Sequence, residues 1–425
     1  MHGKLRLFLF LLLLLSLPVS ALGQPTKTIL NLDQLIQEAL QNNPEILAAK
    51  KRGEVYREKV PQASALEDPM LEFGIVNLPT NFSFRDEDMT MKEIGVSQKF
   101  PFPGKRPLMR EMAEKEAETV STDIEDKTNR IIKDVKTVYY EISHVYRAKE
   151  VTQRNKQIFE TLAKIAETRY ATGEGIQQDV LKAHVQISQM ADDLIMLDQK
   201  RVALEAKLGS LINRPEGWPM GEPEELIFRR FAFTLEELQK MAMESNPTLR
   251  AMKTMIEAKE KAHGLAKLDY YPDFRVRFAY GQRDDSPEGM DRKNMLTGMV
   301  EMNIPIFFES KQSHKVAETL ADIQTYKAQY RAMQNEIFYM IVGMASMVQR
   351  TERQLELYQT GIIPQASMQT KSALSAYTVN KVDFMSLLDS QMTLYRYELE
   401  YHGALTEYEK NLAGLEATVG QRFQR

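Results

Sequence analysis

The sequence predicts a mainly α fold that carries a membrane β-barrel: long coiled-coil helical hairpins, plus four strands per chain that several chains pool into one closed sheet. Three observations predict it. The 425 residues hold few helix breakers, 20 Gly and 17 Pro, alongside 24 Met and a single Trp, a composition that leans toward helix. Apolar residues recur at three and four spacing over very long stretches, the period of a coiled coil. Short period-two stretches with polar tips interrupt that pattern, and the whole order of elements is written twice.

The chain opens with Lys4 and Arg6, an apolar run from Leu7 to Leu17, and small residues around Ala21 and Gly23. That order makes residues 1–23 a secretory signal peptide; its apolar run, about 11 residues, is too short for a spanning helix of about 20. The first repeat covers residues 24–213 and the second 234–425, and both open on capped helices. Thr234 to Glu237 reads as a capping box, Asn31 to Gln34 is its weaker twin, and Asn43-Pro44 and Asn246-Pro247 are N-cap and first-turn proline pairs.

A β-hairpin follows in each repeat, at about 69–100 and about 272–305. In the second, Phe274, Val276, Phe278 and Tyr280 alternate with Arg275, Arg277, Ala279 and Gly281; in the first, Leu71, Phe73 and Ile75 alternate with Glu72, Gly74 and Val76. Long helical hairpins come next, at about 104–213 and about 307–420. Val120, Ile124, Ile131, Val135, Val138, Ile142 and Val145 mark one seam, and Ile323, Tyr326, Tyr330, Met333, Ile337, Met340, Met344 and Met347 its counterpart. Turns near Thr172-Gly173 and Val379-Asn380 reverse the two hairpins. Residues 214–233, rich in Pro and Gly, read as a linker without helix.

Composition excludes several chemistries. A net charge of -4 gives no electrostatic reason to expect nucleic acid. With no cysteine there is no disulfide framework, thiolate metal site, cysteine nucleophile or lipidated N-terminal cysteine. His144, His184, His263, His314 and His402 show no metal-ligand spacing, and no nucleophile stands beside a base, so neither a cofactor nor an enzyme is expected. Met333, Met340, Met344 and Met347 read as seam packing, whereas Met89, Met91, Met295 and Met299 lie in or near strands and could face a lumen. Lys105 and Arg106, at the junction of strand and helix, are expected to meet anionic lipid head groups.

Lipid tolerates no unpaired sheet edge, so four strands cannot close alone. Two chains would supply eight strands and three would supply twelve. The apolar side would face lipid, and Glu72, Arg275 and Arg277 a wet lumen.

The duplicated order, the Asn-Pro pairs, the run Phe100-Pro101-Phe102-Pro103-Gly104-Lys105-Arg106, Tyr170 with Gly173 and Asp179-Val180-Leu181, and Tyr377 with Leu387-Leu388-Asp389 together resemble the TolC-type outer-membrane efflux proteins. The run at Phe100 is most similar to the heavy-metal efflux branch. The resemblance spans essentially the whole mature chain. It implies a homotrimer with a twelve-stranded barrel in the outer membrane and a long periplasmic α-barrel. It also implies docking to a periplasmic adaptor (membrane fusion) protein and an inner-membrane efflux pump, with metal cations or drugs as solutes.

By the same resemblance, Tyr377, Asp179 and Asp389 occupy periplasmic gate positions, and Thr172, Gly173, Val379 and Asn380 form the tips that meet the adaptor. Val382 stands where the family carries a basic gate residue, and Ser386 where it carries another acid. Two other readings stay open: a free-standing porin, and a structural coiled-coil protein of the periplasm that never enters a membrane.

Overall fold

The computed structural model describes residues 29–215, 217, 218 and 220–423. The expected signal peptide, residues 1–23, lies outside them. The chain begins with a two-residue strand, β1 (Ile29–Leu30), and two helices, α1 (Leu32–Asn42) and α2 (Pro44–Ala63). Each helix starts where a side chain satisfies the free amides of its first turn: Asn31 accepts from Gln34, and Asn43 accepts from Glu45 and Ile46. The second repeat opens the same way with α5 (Leu235–Ser245) and α6 (Pro247–Leu268), where Thr234 and Glu237 complete the capping box.

The hairpins form one open antiparallel sheet. Strands β2 (Met70–Val76) and β3 (Met91–Phe100) come from the first repeat, β5 (Phe274–Gln282) and β6 (Met295–Met302) from the second, and β3 pairs with β5. β2 and β6 are the outer strands, each with one ladder edge unpaired.

Beyond the sheet run the helical hairpins. α3 (Lys105–Ala171) is unbroken for 67 residues, about 100 Å at ~1.5 Å per residue, and α4 (Gln177–Ile212) returns along it. In the second repeat, α7 (Gln312–Leu357) gives way to a π-helical turn at Tyr358–Ile362, then α8 (Ile363–Thr378), before α9 (Phe384–Val419) returns. Pro364 explains the interruption: it has no amide hydrogen and its ring crowds the carbonyl one turn back, and the wider turn relieves both.

The core is a chain of clusters along the hairpins rather than one centre. Val135, Val138, Ile142 and Val145 of α3 pack with Leu35, Ile36 and Ala39 of α1 and Leu208 and Ile212 of α4. Nearer the tips, Phe159, Leu162 and Ala166 meet Met190, Phe384, Leu387 and Tyr395.

Two expectations need correction, and one segment gains detail. Within the linker, Glu222–Pro223 forms a short strand, β4, that pairs in parallel with β1 and ties the first repeat's start to the segment that follows it. Met347 is exposed and Val348 takes its place in the core, because a helix of 3.6 residues per turn drifts off a strict heptad count. Lys105 does not face lipid. It is buried, 2.9 Å from Asp269 and 3.0 Å from Asp273, so the first residue of α3 is ionically locked to the chain entering β5.

Candidate functional site

Strand register decides what the sheet can do. Residues directly opposite share a face, so Glu72, Gly95, Ala279 and Thr297 lie on one side, and Leu71, Val96, Phe278 and Gly298 on the other. The second face carries Leu71, Phe73, Ile75, Ile94, Val96, Phe278, Tyr280, Leu296 and Val300, all exposed to solvent in the isolated chain. Leu296 is 86% exposed, and these nine side chains together make a contiguous apolar patch of the kind that marks an interaction or membrane surface.

The first face is polar, and its charges use one another. Arg277 is 2.6 Å from Glu72 and also bonds Glu93; Ser97 donates to Glu72 at 2.9 Å; Arg275 lies 3.7 Å from Glu301. The three side chains expected at a lumen wall therefore do share one face. Glu93 and Glu301 were not anticipated, because which acids oppose which arginines depends on register. Met91, Met295 and Met299 lie on this polar face too, Met91 packed over Gly281.

The far end of the molecule is built by two helix reversals. At the first, the amides of Glu174 and Gly175 donate back to Arg169 and Gly173 takes φ +79°; at the second, Lys381 donates back to Ala376 and Asn380 takes φ +58°. Both are six-to-one helix terminations, and asparagine serves where glycine stood because it too tolerates the left-handed region. Thr172, Gly173, Val379 and Asn380 thus sit at the apices, with Val379 exposed.

The expected gate residues are placed unevenly. Tyr377 is buried, its ring 5.6 Å from Phe384. Asp179, in the first turn of α4, is half-buried and Asp389, on α9, is exposed, and among the described residues neither shares a hydrogen bond with Tyr377. Burial pushes the Asp179 carboxyl up; Lys182 opposes this, and the charge of Asp383 adds to it.

A basic side chain does meet Tyr377, and it comes from the first hairpin. Arg169 donates to the Tyr377 carbonyl at 3.2 Å, lies 4.5 Å over its ring and bonds the side chain of Asn380. Val382 packs into the apolar cluster beneath. One signal in the sequence could have found this clamp: on the repeat alignment Arg169 stands where the second copy has Ala376.

Further from the tips, polar side chains lock the two hairpins together. Gln391 donates to Asn155 at 2.7 Å, Thr152 and Tyr395 share a 3.0 Å bond, and largely covered Lys136 pairs with buried Glu416. Two histidines far apart in sequence also meet here. His144 of α3 and His402 of α9 line a small cavity with Arg147 and Glu225, and His144 Nδ1 is buried with no hydrogen-bond partner. Among the described residues no cluster of three or more metal-binding side chains occurs, and no helix is long and apolar enough to cross a membrane.

Comparison with known proteins fits this architecture. The family model described as outer membrane efflux protein matches residues 35–214 and 238–421, one match per repeat. The cobalt-zinc-cadmium resistance protein CzcC of Cupriavidus metallidurans is 22% identical over 404 residues, covering 92% of this chain and 90% of that one. Among solved structures, CusC matches with a TM-score of 0.77 at 14% identity over 95% of this chain and 96% of that one. VceC of Vibrio cholerae matches with a TM-score of 0.76 at 16% identity over 92% and 97%, respectively. The fold is thus of the TolC type, and with both repeats matched the chain belongs to the outer membrane efflux protein family.

Proposed function

We propose that this protein is the outer-membrane exit duct of a tripartite efflux system, assembled as a homotrimer whose twelve strands close one barrel. The observation that carries the proposal is the open four-stranded sheet, apolar on one face and ion-paired on the other, at one end of helical hairpins far too polar for lipid. β2 and β6 run antiparallel at opposite edges, so β6 of one chain can pair with β2 of the next and leave no edge in the bilayer.

The helices support the same assembly. α3 packs against both α2 and α6, whereas among the described residues α7, its counterpart in the second repeat, packs against α6 and makes no comparable contact with α2. A neighbouring chain's α2 would complete that missing flank. In this reading Tyr377, Asp179 and Asp389 belong to the periplasmic gate, the reversals at Thr172-Gly173 and Val379-Asn380 meet a periplasmic adaptor, and an inner-membrane pump supplies the solute. Glu72, Glu93 and Glu301 balance Lys99, Arg275 and Arg277 on the polar face, so the wall sorts weakly by charge and selectivity rests with the pump.

Divalent transition-metal ions are the first cargo to test, because CzcC is named for resistance to cobalt, zinc and cadmium. Extraction from outer-membrane fractions followed by native mass determination should return three chains, and deletion should sensitise cells to the exported ion. A soluble periplasmic monomer would refute the duct and favour a helical scaffold. A trimer that conducts freely without adaptor would favour a porin.

A further inference from the structure

The run Phe100 to Arg106 has one member, Arg106, that neither the gate nor the wall accounts for. It lies at the mouth of a recess of about 550 Å³ where α2 ends and α3 begins, lined by Ser64, Leu66, Phe100, Phe102, Arg106 and Arg110. Phe100 opposes Phe274, on the sheet face that carries Phe278 and Val300, so the recess continues the apolar face just below the strands. Phe102 stacks on Tyr271 at 4.5 Å and gives it a rigid floor.

Charge at the mouth is unevenly spent. Lys105 is consumed by Asp269 and Asp273, and Arg110 by Glu114 at 2.8 Å. Arg106 forms no ion pair among the described residues; its Nε donates to the Ser64 carbonyl at 2.7 Å, which aims the exposed guanidinium with its terminal nitrogens left over. The second repeat has no such mouth, since Phe308, Glu309 and Ser310 stand where Gly104, Lys105 and Arg106 do.

We propose that this recess binds an anionic phospholipid of the periplasmic leaflet, one per chain, with an acyl chain against Leu66, Phe100 and Phe102 and the phosphate on Arg106. The proposal rests on the outer-membrane placement argued above. An apolar slot ending in a guanidinium held by one backbone bond matches a lipid with a negative head group better than a zwitterionic one, and better than a free anion, which would gain nothing from the slot.

The test uses the mature full-length protein extracted as the assembled channel, stripped of lipid, and mixed with palmitoyl-oleoyl phosphatidylglycerol or phosphatidylcholine. Retained lipid is counted by native mass spectrometry. The expected result is one phosphatidylglycerol per chain, not displaced by glycerol 3-phosphate. Arg106→Gln should weaken retention about fivefold and Arg106→Lys should restore most of it. Leu66→Trp, which fills the slot without touching the charge, should also expel the lipid.

Equal retention of the two lipids, unchanged retention in Arg106→Gln, or displacement by glycerol 3-phosphate alone would each overturn the site. If the protein partitions to the soluble fraction and retains neither lipid, the membrane placement itself falls, and the site with it.

Discussion

Replacing Arg169 with alanine removes the clamp that joins one helical reversal to the other. The wild-type side chain is 16% exposed, and it donates to the Tyr377 carbonyl and the Asn380 side chain while covering the tyrosine ring. A hydrogen bond from a charged donor contributes about 1.5 to 3 kcal/mol and a partly exposed cation–π contact about 0.5 to 1 kcal/mol. Discounting for exposure and overlap leaves on the order of 2 to 3 kcal/mol for the clamp. If it forms only when the tube is closed, its loss shifts the closed-to-open ratio by about 30- to 150-fold.

Two assays read that shift. Single-channel recording in planar bilayers should show Arg169→Ala open for far longer than wild type, and amide exchange should quicken around Tyr377 to Lys381. Arg169→Lys keeps the charge but not the planar fork, so it should fall between the two. Unchanged open probability together with unchanged exchange at the second reversal, in a protein that still assembles, would refute the clamp.

Other outcomes follow from the same geometry. Glu416→Ala strands Lys136, whose side chain is 11% exposed, without its partner, and should cost about 3 to 5 kcal/mol in thermal unfolding followed by circular dichroism. Gly420 takes φ +84°, and a Cβ there would lie 2.5 Å from the Ser245 carbonyl oxygen; Gly420→Ala should lower the same unfolding transition by at least about 1 kcal/mol. His144 is held below its ordinary pKa by burial, then by the charges of Lys200 and His402, against Glu141. His402 is held down by burial and then Arg147, against Glu150, Glu398 and Glu225. Both favour the neutral ring when folded, so the unfolded chain binds more protons, and stability should fall as pH drops below about 6.5. His144→Gln with His402→Gln should flatten that acid limb of the unfolding curve, and an unaltered limb would assign it to other groups.

What could be read from the sequence was local or repeated. The capping box at Thr234, the Asn-Pro pairs, the alternation along Phe274 to Gly281 and the reversals at Gly173 and Asn380 each declare themselves within a few residues, and duplication doubles each signal. What escaped depends on partners far away in the chain. Lys105 reads as a surface base until Asp269 and Asp273 are folded onto it, and Arg169 as one more helix cation until the second reversal comes beneath it. The meeting of His144 with His402 has no spacing that would announce it. Two-residue strands such as β1 and β4 are too short to show any period.

The unpaired edges of β2 and β6 also set the conditions under which a cell can make this protein. An unassembled chain displays two ready templates for strand addition and a greasy face with nothing to cover it, so it is an aggregation hazard until partner strands and a bilayer arrive together. Biogenesis should therefore depend on holdase chaperones of the periplasm and on local chain concentration. In the trimer proposed above, a copy lacking β6 would spoil each assembly it enters; mixed equally with intact chains, it should leave about one assembly in eight functional.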